Sequence, residues 1–557
     1  MPYLHGTYGE IVASKVQQTS QSDVVLAYIG TAPVNLIRGY ADMDLVNMPI
    51  KLANMGDVQN KVGYSTDWKG FTLCEAFAEH FDNTVGNVGP IFVVNVLDPA
   101  VHRKAAATTK SLTFSNGRAE FESDKIILDT FAIADKVEGT DYSLAYNYAK
   151  GAVVVTLLDG TATATLTASY AEVDPDAVTY ADIIGSQSAD GIYTGTFALK
   201  LLYHYQNAVL DLLAAPGWSH IPAVYNALVS IAKKLNGHWE AFVLADIPIE
   251  DEKAVEATVT DHEATVADSK LLLDTVEVYN GTTKGALTTD YTVGYANGTL
   301  TVTLVSGGAL YSATKLSIKY KAAVQTLADA EQWRIDHGYT AESSKAMWPQ
   351  VKDGSGRVFH VSSVWAATQL RVDLSHNGVP FETASNKEIM ATAQFFGANS
   401  KNRGFDQDSA NELNAKGITT AVFWAGRWVL WGPHTAAYTE GGSMDARAIF
   451  DVNLRMLMYI TNSFQIDHGT ETDGPMSPQD RDTILNAERA RLDSLKSQGA
   501  LIGDPTVEFI ESENPISQMM NGDFVWDFEV TNTPPFKSGT ARIKYTDEGF
   551  QAFYGNE

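Results

Sequence analysis

Apolar positions along this chain follow two alternating periods. Residues 24–29 form a continuous apolar run that ends in Gly30-Thr31-Ala32-Pro33, the pattern of a buried strand closed by a turn. Leu73, Phe77 and Phe81 recur four residues apart, which predicts a helix over 68–83 with one apolar face. Gly86 and Pro90 break that pattern, and IFVVNV at 91–96 predicts a strand buried on both faces. The course resumes with the apolar stretch 201–213, a Pro216-Gly217-Trp218 turn, a helix over 222–235 and a strand over 241–245. Another helix is expected over 325–337. Strands alternating with helices imply an α/β layer with parallel pairing.

Past Trp348 the texture becomes α+β. Residues 358–373 predict a strand running into a helix, and 446–464 place Ile449, Asn453, Met456, Leu457, Ile460 and Phe464 on one helical face. Ser477-Pro478 opens a further helix, with Asp480 and Asp482 in the first turn, where the dipole favours acids. Leu485, Leu492 and Leu495 face inward on it, and Gly499 is placed to cap its end. The most aromatic stretch is GITTAVFWAGRWVLWGPHTAAY at 417–438, a strand, a tight turn at Ala425-Gly426-Arg427 and a returning strand. Trp424, Trp428, Leu430 and Trp431 are expected in the core of that domain, because large rings dominate burial. Strands are expected at 507–510 and 524–530. Pro534-Pro535 then marks a stiff exit, followed by a last short strand at 541–545.

Two stretches, 111–173 and 258–324, carry period-2 alternation and little helical signal. They match one another block by block. SDKIILDT (123–130) answers DSKLLLDT (268–275), and TDYSLAY (140–146) answers TDYTVGY (289–295). GAVVVTLLDG (151–160) answers GTLTVTLVSG (298–307), and ATLTASY (164–170) answers TKLSIKY (314–320). Four matched blocks in one order predict two copies of a small antiparallel β domain. Each interrupts the α/β course, so each is expected to be an insertion at an exposed loop.

Composition narrows the function. An apolar content of 45% with 10% aromatics is globular, and 557 residues leave room for about three to four domains. The net charge of −27 disfavours nucleic-acid binding. Apolar runs fall short of a membrane span and residues 1–10 lack a signal pattern, so cytoplasmic synthesis and no membrane insertion are expected. Cys74 is the one cysteine and sits in a helical stretch, a buried thiol rather than a nucleophile. No Gly-rich phosphate loop, nucleophile elbow, zinc helix or paired-cysteine motif occurs. Glu250-Asp251-Glu252 reads as a solvated linker, and Asp261-His262-Glu263 as an exposed loop whose neighbouring side chains diverge. No enzyme, cofactor or metal site is expected. Residues 3–12 read as a short extended segment, either a frayed end or a strand lent to a neighbouring sheet.

Several phrases carry a resemblance. GTAP at 30–33, the course APGWSHIPAV…FVLADIP over 215–248, RGFDQDSANELNAKGI at 403–418 with LWGPHT at 430–435, and GDFVWDFEVTNTPP at 522–535 together resemble contractile tail sheath proteins of phages and phage-tail-like particles. The resemblance covers most of residues 1–99, 191–252 and 325–557. It implies a mixed α+β and α/β multidomain sheath core, from which the two mutually similar antiparallel β domains, at 111–175 and 258–324, are departures. The implied parts are an N-terminal arm at 1–22 and a discontinuous middle domain at 23–110, 176–257 and 325–350. A C-terminal domain at 351–535 and an arm at 536–557 complete them.

The implied function is a structural subunit that polymerises helically around a tail tube and contracts to drive it through a target envelope. Its partners would be further copies of itself, the tube protein, and baseplate and tail terminator proteins, with no nucleic acid. Phage and R-type bacteriocin both remain open as the particle. Tyr3, Leu4, Tyr8, Ile11 and Val12 at one end, and Ala541, Ile543 and Tyr545 at the other, would be the inter-subunit arms. The rival reading is a bacterial surface or adhesion protein with two β binding modules, which would require a secretion signal.

Overall fold

The computed structural model describes residues 24–554. They form two compact units that divide between Ile484 and Leu485.

The first unit is built on an eight-stranded sheet. In spatial order its strands are Pro49–Leu52, Ile91–Asn95, Leu26–Gly30, Leu212–Ala214, Phe242–Asp246, Ser344–Met347, Ile418–Trp424 and Arg427–Trp431. The six inner strands pair in parallel, and only the two outermost are antiparallel. Every residue of Leu26–Gly30, Ile91–Asn95 and Phe242–Asp246 is buried, because helices cover both faces of a parallel sheet. Helix Leu73–Phe81, also wholly buried, packs on helix Val361–Ser375, which lies against the central strands. Helix Pro222–Lys233 starts with proline at its first position, where no intrahelical donor is lost. The expected helices at 325–337 and 446–464 are seen as Leu327–Asp336 and Asp451–His468.

The buried side of the last helix differs from the apolar stripe. Asp451 and Arg455 are buried, while Asn453, Leu457 and Phe464 are only partly covered. The reason is that its first turns point two charged residues inward, where Lys345 and Asp373 receive them.

Residues 108–170 form a six-stranded antiparallel sheet, ordered Ala132–Ile133, Thr163–Tyr170, Thr108–Ser115, Arg118–Glu122, Ala152–Leu157 and Tyr142–Asn147. Phe114, Phe121, Val153, Val155 and Tyr170 fill its core. Residues 250–323 form two antiparallel sheets, Glu250–Thr258, Lys315–Ala323, Leu271–Asn280 and Thr283–Lys284 in one and Glu263–Ala267, Thr299–Leu304 and Tyr291–Ala296 in the other. Val278, Leu300, Val302, Leu316 and Ile318 fill the space between. Glu250-Asp251-Glu252 is therefore not a linker. It opens a strand paired along its length with Lys315–Ala323, and Lys321 lies 3.1 Å from Glu250, an opposite charge across the ladder. Asp261 and His262 both have positive φ in the turn that follows.

The second unit contains the C-terminal part of helix Pro478–Ser497, with Leu485, Leu492 and Leu495 buried and Gly499 at φ +82° beyond its end. That left-handed turn is the one a glycine accepts without a Cβ penalty. The chain continues through strand Thr506–Glu508, a short helix Ile516–Met519 and strand Asp527–Glu529.

Candidate assembly surface

Strands Thr506–Glu508 and Asp527–Glu529 pair antiparallel as a sheet of only two strands. Among the described residues, each therefore keeps one edge without a β partner. A two-stranded ribbon is marginal by itself, and this one is braced locally. Asn514, 2% exposed, donates to the carbonyls of Ile510 and Val525 and accepts from the Val525 amide at 2.8 Å. Phe509, Phe524 and Trp526 cluster with centroids 6.0–6.5 Å apart. The ribbon is thus held in place, and among the described residues no third strand pairs with it.

From Phe536 to Tyr554 the chain is exposed residue after residue. Phe536 is 90% exposed, Ile543 93%, Tyr545 84% and Phe553 84%. Ala541, Ile543 and Tyr545 carry no strand in the single chain, since a strand needs a partner and none of the described residues pairs with them. Large apolar side chains thus recur exposed along this tail. Tyr3, Leu4, Tyr8, Ile11 and Val12, the expected arm at the other terminus, lie outside the described residues.

The aromatic hairpin joins the large sheet instead of making one of its own. Ile418 pairs with Ala346 in parallel, and Trp424 pairs with Arg427 across a two-residue turn in which Ala425 and Gly426 both have positive φ, the geometry that suits twisted hairpins. Leu430 is fully buried, Trp428 and Trp431 are half-buried, and Trp424 is 41% exposed. Trp424 departs from the core position expected of it because it ends its strand at the turn. Phe423 beside it is 57% exposed.

Inside the first unit, three polar clusters tie distant segments together. Glu75 on helix Leu73–Phe81 accepts the His360 amide at 2.6 Å, His360 Nδ1 at 2.7 Å and the Ser363 hydroxyl. Burial works against the charged imidazole, but the Glu75 carboxylate lifts its pKa to about 9. Asp246 accepts the Ser362 amide at 3.0 Å and the Ser362 hydroxyl, so two carboxylates cap the N-terminus of helix Val361–Ser375. In the second cluster Lys345 meets Asp451, and Arg455 pairs with Asp373. Asp211, which accepts the Val25 amide at 2.7 Å, is pushed up by burial to about 7. In the third, His80 bridges the Tyr28 hydroxyl and the Val88 carbonyl, and burial lowers it to about 4.

These clusters brace; they are not laid out for reaction. Ser363 and His360 both point at the same carboxylate, whereas a nucleophile must point at its base. Burial raises the Cys74 thiol well above its ordinary value, which suppresses the thiolate. No group of three metal-ligating side chains occurs among the described residues. No described helix is long and apolar enough to cross a membrane. The sequence does not announce the first two clusters, although Lys345 within SSKAMW offered a signal, a lone charge in an otherwise small and apolar strand.

No family model matches the chain. A tail sheath protein of Burkholderia phage BcepMu is 26% identical over 567 residues, spanning 98% of this chain and 97% of its own. Along almost its whole length the chain is similar to a phage tail sheath protein. A major tail sheath protein of Serratia phage KSP20 is 24% identical over 247 residues, 43% of this chain and 59% of that one. Among solved structures, the sheath complex of an extracellular contractile injection system in its contracted state aligns at TM-score 0.47 and 13% identity, over 99% of both chains. The Burkholderia phage match runs through both β-rich stretches, which the sequence pattern sets apart as insertions.

Proposed function

We propose that this chain is the structural subunit of a contractile tail sheath, with no enzymatic step. Copies polymerise helically around a tail tube and shorten to drive the tube through a target envelope. The observation that carries this reading is the end-to-end match, 26% identity across 98% of the chain, to a phage tail sheath protein. The molecule's physics suits it. Buried polar clusters make the first unit stiff, while the C-terminal tail and the two-stranded ribbon offer main-chain hydrogen bonds to a neighbour. A head-to-tail contact that does not close on itself produces a filament. Work then comes from the difference between two packings of rigid bodies, so no nucleotide is needed.

In this reading residues 536–557 and 1–22 are the arms, and residues 541–545 add a strand to the ribbon of another copy. The sheets at 108–170 and 250–323 are duplicated insertions in a shared sheath core, and tube, baseplate and terminator proteins are the partners in a particle assembled in a bacterial cell. Negative-stain microscopy of the purified protein tests this. Tubes or stacked rings are expected, and a protein that stays monomeric at high concentration overturns it.

A further inference from the structure

We propose that the cleft between residues 64–66 and the β sheet of residues 108–170 is a saccharide-binding site. The cleft encloses about 430 Å³, within the roughly 300–1,000 Å³ typical of small-molecule sites. Tyr64, Tyr146 and Tyr148 supply its aromatic surface, Glu122 and Asp124 its carboxylates, and Lys150 an ammonium.

The tyrosines are set in advance. The Tyr148 hydroxyl donates to the Gln59 carbonyl at 2.8 Å, and the Tyr146 and Tyr148 rings meet edge to face at 4.9 Å. Asp124 is oriented by the Ser65 hydroxyl, and Lys150 is held by Glu120 at 3.0 Å. The Tyr146 hydroxyl is the exception, buried with no hydrogen-bond partner among the described residues. An orphaned buried hydroxyl calls for an explanation.

The matching block of the second β-rich stretch makes the point sharper. TDYSLAY and TDYTVGY place Tyr295 opposite Tyr146, and the Tyr295 hydroxyl donates to the Asp268 carbonyl at 2.8 Å. The tyrosine is satisfied in one copy and left open in the other, where the cleft lies.

The lining selects the ligand class. Two carboxylates repel a phosphate, and Lys150 opposes a simple cation. The polar wall is wrong for a purely apolar guest. A polyhydroxylated ring fits the lining: its hydroxyls donate to Glu122 and Asp124 and accept from Lys150, and a small turn of the Tyr146 ring brings its closed-off oxygen within reach of another. Its C–H face lies on a tyrosine ring, whose rigid amphipathic surface is ordered at little entropic cost.

Saturation-transfer NMR on the assembled full-length protein tests this, with glucose, galactose, N-acetylglucosamine and cellobiose as probes at about 10 mM, a concentration suited to millimolar affinity. At least one sugar should show ring-proton saturation. Tyr146→Phe, which keeps the ring and removes the hydroxyl, should weaken binding about five- to tenfold, and Asp124→Asn should also weaken it. Tyr295→Phe should leave it unchanged. No saturation with any probe overturns the proposal. So does binding indifferent to both Tyr146→Phe and Asp124→Asn, or equally weakened by Tyr295→Phe.

Discussion

Lys345 and Asp451 lie 3.1 Å apart in the interior, both closed off from solvent. The lysine stands on a central strand and the aspartate opens helix Asp451–His468. The ammonium also donates to the carbonyls of Gly432 and His434 and lies 4.2 Å from the Trp365 ring centre. Burial pushes the lysine's pKa down, and Asp451 opposes that shift. A buried pair is costly to break singly, because the survivor keeps its charge without a partner. Lys345→Met should cost about 3–5 kcal/mol of stability, and adding Asp451→Asn should recover part of it. Urea midpoints of the two variants check this, and a wild-type midpoint for Lys345→Met would refute it.

The Glu75–His360 contact sets a pH dependence. The folded pKa of His360, about 9, stands above its ordinary 6.5, so the folded state holds the proton more tightly. The stabilisation is fully present below pH 6.5 and is lost as pH rises through 9. Stability should therefore fall across that window, and His360→Gln should flatten the slope. Melting curves at a series of pH values measure it; an identical slope in the variant contradicts the assignment.

Within the aromatic hairpin, burial separates neighbours. Leu430→Ala should cost about 2–5 kcal/mol through the cavity it leaves, whereas Trp424→Ser, at an exposed position, should stay within about 0.5 kcal/mol. Equal losses in denaturant titration would mean that Trp424 is packed.

The alternation of strands and helices was readable because burial on both faces writes continuous apolar runs, as in IFVVN at Ile91–Asn95. What could not be read was adjacency. Ser344–Met347 and Ile418–Trp424 lie side by side though far apart in the chain, and parallel pairing leaves no local turn to announce it. Charges at Asp451 and Arg455 hid in the same way, since an apolar period records which residues avoid water but not which ions find partners inside. Aromatic density at 423–431 was plain, yet only the position of the turn decides that Trp424 faces outward. Residues 541–545 alternate as a strand does, but pairing is a property of two chains or two segments, and one sequence names only one of them.

Deleting residues after Pro535 should leave a soluble protein that melts cooperatively and forms no tubes. Ile543→Pro should act similarly by removing a ladder donor. Each main-chain hydrogen bond contributes only about 0.5–1.5 kcal/mol net, but the set repeats at every subunit. Electron microscopy decides between the outcomes, and normal tubes from the truncated chain would rule out strand exchange through this tail.

Replacing residues 108–170 and 250–323 by short Gly/Ser joins should leave polymerisation intact. The ladders support this: Thr108 is paired with Tyr170, and Glu250 with Ala323. A folded variant without any assembly would count decisively against it.

Those same ladders bear on how such a chain can change over generations. Each β-rich stretch leaves and rejoins the rest of the molecule through two strands lying side by side, about 4.8 Å apart. A recombination event that copies the corresponding stretch of gene into another loop delivers a segment whose ends already meet. The recipient need only supply a gap one strand wide. Duplication, loss and exchange of these stretches are then small steps for the host fold, and they can be rewritten in a lineage while its central sheet is inherited unchanged.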